Sequence, residues 1–181
     1  NIIDQDLNET ISNAKKSFFK PLKMKATSVD NQVHEAYAYN EVSLMRQTHL
    51  ASKIKIKIND DIKMEELICD GVLVSTSAGS TAYNLSAHGS ILPLDSNILA
   101  LTPISAFRPR RWRGALLSET NKIEFHVLDN KDRSSSVTAD NVEFRNIDKV
   151  NVESSNDNKC LVLFDSKHSI EDKILNEQFN F

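Results

Sequence analysis

Ser52-Lys-Ile-Lys-Ile-Lys-Ile58 alternates without a break, isoleucine at 54, 56 and 58 and lysine at 53, 55 and 57. Successive side chains of an extended strand point to opposite faces, so this run forms a ribbon with one apolar and one cationic side. Such a ribbon belongs to a sheet with one face on a core and the other in water, the usual situation of antiparallel sheets. Asn59-Asp-Asp61 directly after it reads as a tight turn. Short apolar runs continue along the chain at 72–75, 98–102, 115–117, 123–128, 136–139, 142–147, 150–153 and 160–164, most of them separated by polar turns. That spacing predicts a mainly β fold of stacked antiparallel sheets, sandwich-like, rather than alternating βαβ units.

Helical signals are few. Leu7, Ile11, Ala14 and Phe18 step by four, three and four behind Asp4 and Asp6, which predicts an N-terminal amphipathic helix closed by Pro21. A short helical segment is expected near 81–88, and a C-terminal helix capped by Ser169 with Glu171 and Asp172 in its first turn.

With 181 residues, the chain has room for one ordinary domain and part of a second. A net charge of -3 supplies no global attraction to nucleic acid or to anionic membranes. No apolar run reaches membrane-spanning length, and residues 1–20 lack the basic-then-apolar pattern of a signal peptide. Cys69 and Cys160 lie far apart, each beside apolar residues, and read as buried reduced thiols. A cytoplasmic location is the expectation. The chain begins with Asn1 directly before the helical pattern, which reads as a piece cut from a longer protein.

The chemistry concentrates where the glycines do. Three of four (Gly71, Gly79, Gly89) fall within Asp70-Gly-Val-Leu-Val-Ser-Thr-Ser-Ala-Gly-Ser-Thr-Ala-Tyr-Asn-Leu-Ser-Ala-His-Gly89. A buried strand there runs into small hydroxyl residues, a glycine and a first helical turn. Such a bend exposes backbone N–H groups and hydroxyls with little bulk, which suits a sugar or phosphate of a nucleotide. The phosphate-loop, Rossmann and nucleophile-elbow glycine patterns are all absent from the sequence. Asp70 reads either as a turn residue or as an acceptor for a ribose hydroxyl or amide. Asn40-Glu41 interrupts an apolar, β-like run, where an inward polar side chain needs a partner. Glutamate accepts from both hydroxyls of a vicinal diol, and asparagine pairs with an adenine edge. Arg108-Pro-Arg-Arg-Trp-Arg113 reads as a solvated loop, a subunit contact, or a site for phosphate or nucleic acid. The five histidines have no metal-ligand spacing, and no Ser–His–Asp arrangement is recognisable.

Taken in order, these segments resemble the NAD kinase family in its bacterial form. Ala38-Tyr-Asn-Glu41, the long stretch from Asp70 to Ser86, Leu101-Thr-Pro-Ile-Ser105 with the arginine segment, and Thr138-Ala-Asp-Asn141 carry the resemblance over nearly the whole chain. It implies phosphoryl transfer from ATP or polyphosphate, with a divalent magnesium ion accompanying the donor, to the adenosine 2′-hydroxyl of NAD, giving NADP. It also implies that Asn40 and Glu41 hold the adenosine half of NAD. Asp70, partly from a neighbouring subunit, would hold a ribose or the nicotinamide. Ala78, Ser80, Thr81, Ala82, Tyr83, Asn84 and Ser86 would line the pocket, with Asp140 and Asn141 as weaker candidates. A homo-oligomer, dimer or tetramer, follows from a pocket built across subunits; no nucleic acid or membrane partner is expected.

Two departures stand out. Ser77 occupies the position where the family usually has proline, and the Gly-Gly-Asp-Gly segment that supplies the general base is not in these residues. The resemblance therefore puts no catalytic residue and no metal ligand in this chain. It divides the chain into a helix at 1–20 packing on an N-terminal α/β domain, a β-rich NAD-binding domain at 21–165, and a tail at 166–181 that packs back on that N-terminal domain. On that reading the isolated piece binds NAD but transfers little phosphate. The rivals are a lipid or sphingoid kinase and a non-catalytic dinucleotide-binding module.

Overall fold

The alternating run forms strand β5, Ser52–Ile58, and its hairpin partner β6 is Asp61–Cys69. The structure, a computed structural model, describes residues 7–164 and Phe179. Asn59 and Asp60 make the turn in the left-handed region, at φ 51 and 69, where short polar side chains are tolerated best. Ile54, Ile56 and Ile58 are buried, while Lys53, Lys55 and Lys57 project outward to Asp129 (2.9 Å), Glu65 (3.0 Å) and Glu124 (3.1 Å). Each buried isoleucine contributes about 1.5–3 kcal/mol and each surface pair about 0–1 kcal/mol, so the apolar face fixes the register.

Two six-stranded antiparallel sheets stack on this face. The first has the order β3 (Val33–Ala38), β2 (Leu22–Ser28), β13 (Ile147–Ser154), β10 (Ile123–Leu128), β5, β6. The second has the order β12 (Val142–Phe144), β11 (Ser135–Ala139), β4 (Glu41–Arg46), β7 (Gly71–Ser75), β8 (Ile98–Ile104), β9 (Ala115–Ser118). Between them lies one core, in which Met24, Ile56, Phe125 and Val150 of the first sheet belong with Val42, Leu44, Val72 and Val137 of the second. The mainly β, stacked-antiparallel expectation holds.

Strand β7 positions the site. All five of its residues are buried. Val72 and Val74 belong to the core, so by alternation Leu73 and Ser75 face the other side of the sheet, as do Glu41, Ser43 and Met45 of β4. That outer face is covered by the glycine-rich segment, which leaves β7 as a 3-10 turn at Ala78–Thr81 and continues as α2, Tyr83–Ser86. The helical segment near 81–88 is thus present, but shorter.

The N-terminal helix needs correction. Among the described residues of this segment Leu7–Ser12 is helical (α1), and Lys15–Phe19 is strand β1, paired antiparallel with β14, Cys160–Phe164. Phe19 meets Phe164 edge-on with centroids 6.5 Å apart, whereas Leu7 and Ile11 are exposed. The apparent helical stripe therefore buries no common face, and pairing with the far end of the chain prevails over local periodicity. The 142–147 run also divides, into β12 and the start of β13 at Ile147. The predicted C-terminal helix at Ser169 lies outside the described residues.

Candidate functional site

Gly79 joins the bend to the Asn40-Glu41 pair. A Cβ placed on it would lie 2.2 Å from the Asn40 carbonyl oxygen and 2.5 Å from the Asn40 Cα. Only a residue without a side chain allows the two backbones this approach. Thr76 fastens the junction: its N–H donates to the Asn40 carbonyl (2.9 Å), its hydroxyl donates to the Tyr39 carbonyl (2.7 Å), and Gly79 N–H donates to that hydroxyl (3.0 Å).

On the other side of the pair stands Asp140, at the tip between β11 and β12. Its carboxylate accepts from the backbone N–H groups of Tyr39 (2.6 Å), Asn40 (3.0 Å) and Glu41 (3.2 Å). Asp140 is a clamp on the Asn40-Glu41 loop, a role that its sequence neighbours did not reveal. The only local hint is a polar Asp-Asn turn between two strand-like runs.

Held this way, Glu41 projects from the outer face of the second sheet. Its Oε2 is buried and has no hydrogen-bond partner. Burial, and then the Asp140 charge, raise its pKa above the ordinary carboxylate value, while the Tyr83 backbone N–H opposes the shift. A carboxylate in that condition is an acceptor waiting for donors. Tyr83 lies beside it, its hydroxyl donating to Met45 Sδ at 3.7 Å. Burial, then the charge of Glu41, then that of Asp70 raise the Tyr83 pKa, so this ring is within electrostatic reach of both carboxylates.

Asp70 sits at the opposite end of β4. Its carbonyl accepts from Arg46 N–H (2.9 Å), and its Oδ1 accepts from Arg46 Nε (2.6 Å). Five residues of strand separate Arg46 from Glu41, about 17 Å at ~3.4 Å per residue. The same sheet thus carries both carboxylates, but not at one point.

The remaining predicted residues divide into two groups. Asn40, Ala82, Tyr83 and Ser86 are exposed, and Ala78 and Thr81 are half-buried. Ser80 and Asn84 are fully buried and bonded within the fold. Asn84 Nδ2 donates to the carbonyls of Ser80 and Ser90, both at 3.0 Å, and Asn84 Oδ1 accepts from the Thr102 hydroxyl at 2.7 Å. Leu92 N–H donates to Ser80 Oγ at 3.0 Å. The Thr102 bond ties the glycine-rich segment to β8, and those of Ser90 and Leu92 tie it to the loop that leads there. Among the described residues, no group of three or more His, Cys, Asp or Glu could hold a metal ion.

The class the fold defines is a two-sheet antiparallel β-sandwich with a glycine-hinged bend packed on a carboxylate-bearing loop. Residues 39–164 match the family described as ATP-NAD kinase C-terminal domain. Among curated relatives, the NAD kinase of Hyphomonas neptunium is 51% identical over 97% of this chain and 69% of its own length. That of Rickettsia bellii is 49% identical over the same shares. The chain belongs to the NAD kinase family, phosphotransferases that act on NAD. Two solved structures share the fold at low identity. Yeast NADH kinase complexed with NADH has TM-score 0.82 at 23% identity, covering 93% of this chain and 50% of that one. An Archaeoglobus fulgidus NAD kinase in complex with ATP has TM-score 0.72 at 22% identity, covering 89% and 61%. The chain thus spans about two thirds of its curated relatives' length and less of these two chains.

Proposed function

We propose that the outer face of the second sheet binds the adenosine half of NAD, for phosphorylation of its ribose 2′-hydroxyl by ATP or polyphosphate. The observation that carries this is Glu41: a buried carboxylate oxygen with no partner, on a loop clamped from both sides by Thr76 and Asp140. A vicinal diol supplies two O–H donors to such a group, and each charge-assisted bond contributes about 1.5–3 kcal/mol. Asn40, exposed beside it, takes the adenine edge, and Tyr83 covers the ribose. Ala78, Thr81, Ala82 and Ser86 line the cradle's mouth, while Ser80 and Asn84 hold its shape through the bonds described above.

Glu41 orients the 2′-hydroxyl. It is not assigned the base, which the family resemblance puts on a Gly-Gly-Asp-Gly segment outside these 181 residues. Magnesium would arrive on the donor's phosphates, since the described residues offer it no ligand set. Asp70, about 17 Å along β4 by strand rise, serves the nicotinamide half of a dinucleotide, shared with a second copy in a homo-oligomer. With both cysteines free, the protein belongs in the cytoplasm.

NAD titration across pH tests this reading. Because the Glu41 pKa is raised, its ionisation lowers fold stability as pH rises through that value, and a bound diol offsets the loss. Affinity for NAD should therefore strengthen with pH through the Glu41 titration, and Glu41→Gln should flatten the profile. A wild-type profile identical to that of Glu41→Gln would refute the assignment.

A further inference from the structure

The arginine segment Arg108-Pro-Arg-Arg-Trp-Arg113 takes no part in the Glu41 cradle. Its entry is pinned to β6, where Ile68 N–H donates to the Arg108 carbonyl (2.9 Å) and Arg108 N–H donates to the Ile68 carbonyl (3.1 Å). Its exit is pinned at Gly114, whose φ of +102 and approach to the Leu101 carbonyl, 2.0 Å from where a Cβ would sit, admit only glycine. Between these points Trp112 N–H donates to the Pro109 carbonyl (3.2 Å), and the Trp112 ring packs against the core. The loop is held at three places, so what it presents is preorganised.

What it presents is uncompensated positive charge around a hollow. Arg110, Arg111 and Arg113 line a cavity of about 550 Å³ together with Trp112, His88 and Ser105. Among the described residues the arginine ion pairs are Arg46–Asp70 and Arg145–Glu143, so none of these guanidiniums is paired with a carboxylate. Arg108 and Arg110 both stack on one ring, Phe107, at 5.6 and 5.4 Å. Like charges gathered in one concavity repel, and an ordinary solvated surface disperses them or intersperses acids. In a chain of net charge -3 the gathering is a local feature with a local counter-ion.

We propose that this cavity binds an oligophosphate anion. Guanidinium forks match phosphate oxygens two at a time, and three arginines lining one hollow suit a chain of phosphates better than a single carboxylate. The volume lies within the range of small-molecule sites. Trp112 adds an aromatic wall on which a base can stack if the phosphates belong to a nucleotide. The inference does not depend on the role given to Glu41.

Isothermal titration of the full chain with sodium tripolyphosphate, at low and moderate salt, is the test. The expected result is one saturable event, weakened by salt and at least tenfold weaker in Arg111→Ala/Arg113→Ala, while NAD affinity in that double variant is unchanged. The Arg111→Lys/Arg113→Lys variant, which keeps charge but loses the forks, should bind with intermediate affinity. ATP as a second titrant separates the sources. Equal affinity means the phosphate chain alone is read; tighter ATP binding that falls to the tripolyphosphate level in Trp112→Leu means the base is stacked as well. Absence of saturable tripolyphosphate binding, or indifference to both double variants, overturns the proposal. A preference for a poly-glutamate peptide or a single-stranded oligonucleotide over tripolyphosphate overturns it too.

Discussion

Gly79→Ala adds one carbon atom at the point where the glycine-rich bend meets the Asn40-Glu41 loop. That carbon would stand 2.5 Å from both the Asn40 Cα and carbonyl carbon, and 2.2 Å from the carbonyl oxygen. Ordinary carbon–carbon contact is about 3.5 Å, so one backbone must retreat by about 1 Å. Every obstructing atom is main chain, and none can rotate aside. Overpacking of this kind costs about 1–3 kcal/mol, and the Thr76 bonds to Asn40 are strained with it. The retreat also moves Glu41 relative to Tyr83, and a displacement near 1 Å at a positioned group can lower its effectiveness by about 100-fold. Urea denaturation and NAD titration on the same preparation read both effects. Stability within 0.5 kcal/mol of wild type (roughly the spread of neutral surface substitutions) together with unchanged NAD affinity would refute the claim that this contact holds the cradle together.

Other consequences follow from the same contacts. Asp140→Ala leaves the N–H groups of Tyr39, Asn40 and Glu41 without their acceptor and should cost about 1–3 kcal/mol in urea denaturation, with weaker NAD binding. A loss confined to binding, with stability intact, would contradict its role as a clamp. Burial alone would raise the pKa of Glu124, but hydrogen bonds from Lys149, His126 and Lys57 outweigh it and hold the group at about 2. A depressed carboxylate stabilises the fold above its unfolded value and loses that contribution as pH falls toward 2. Wild type should therefore lose about 1–3 kcal/mol relative to Glu124→Gln between pH 4.5 and pH 2, followed by acid titration of unfolding; parallel curves would contradict it.

How much of this was legible depended on whether the determining contact was local. The 52–58 run declares its two faces in its own alternation, and the turn at Asn59 and Asp60 follows from short polar residues that tolerate positive φ. β6 and most of β3 carry little local signal because they are edge strands with mixed, largely exposed patterns; only the end of β3 shows, in the β-like run before Asn40. β2 does alternate, buried at Leu22, Met24, Ala26 and Ser28, but Pro21 drew attention to the end of a helix rather than the start of a strand. β1 has a helical periodicity of its own, and the partner that makes it a strand, β14, lies at the far end of the chain. The site shows the same division. Asn40, Glu41 and the Gly79 bend announce themselves through residue types that sit badly in an apolar run. The Asp140 clamp bridges a separation of 100 residues, and the inward bonds of Asn84 depend on Thr102 across a packed interface, neither of which any local pattern encodes.

The central claim is that Glu41 grips the adenosine diol. A thermodynamic cycle measures that contact alone: NAD and its 2′-deoxyadenosine analogue, each titrated against wild type and Glu41→Gln. A charge-assisted bond of about 1.5–3 kcal/mol corresponds to roughly 10- to 100-fold in affinity. Glu41→Gln should weaken NAD by at least that factor and the deoxy analogue by less, because one of the two partner hydroxyls is already gone. Equal weakening of both ligands would show that Glu41 does not touch the 2′-hydroxyl, and would contradict the account.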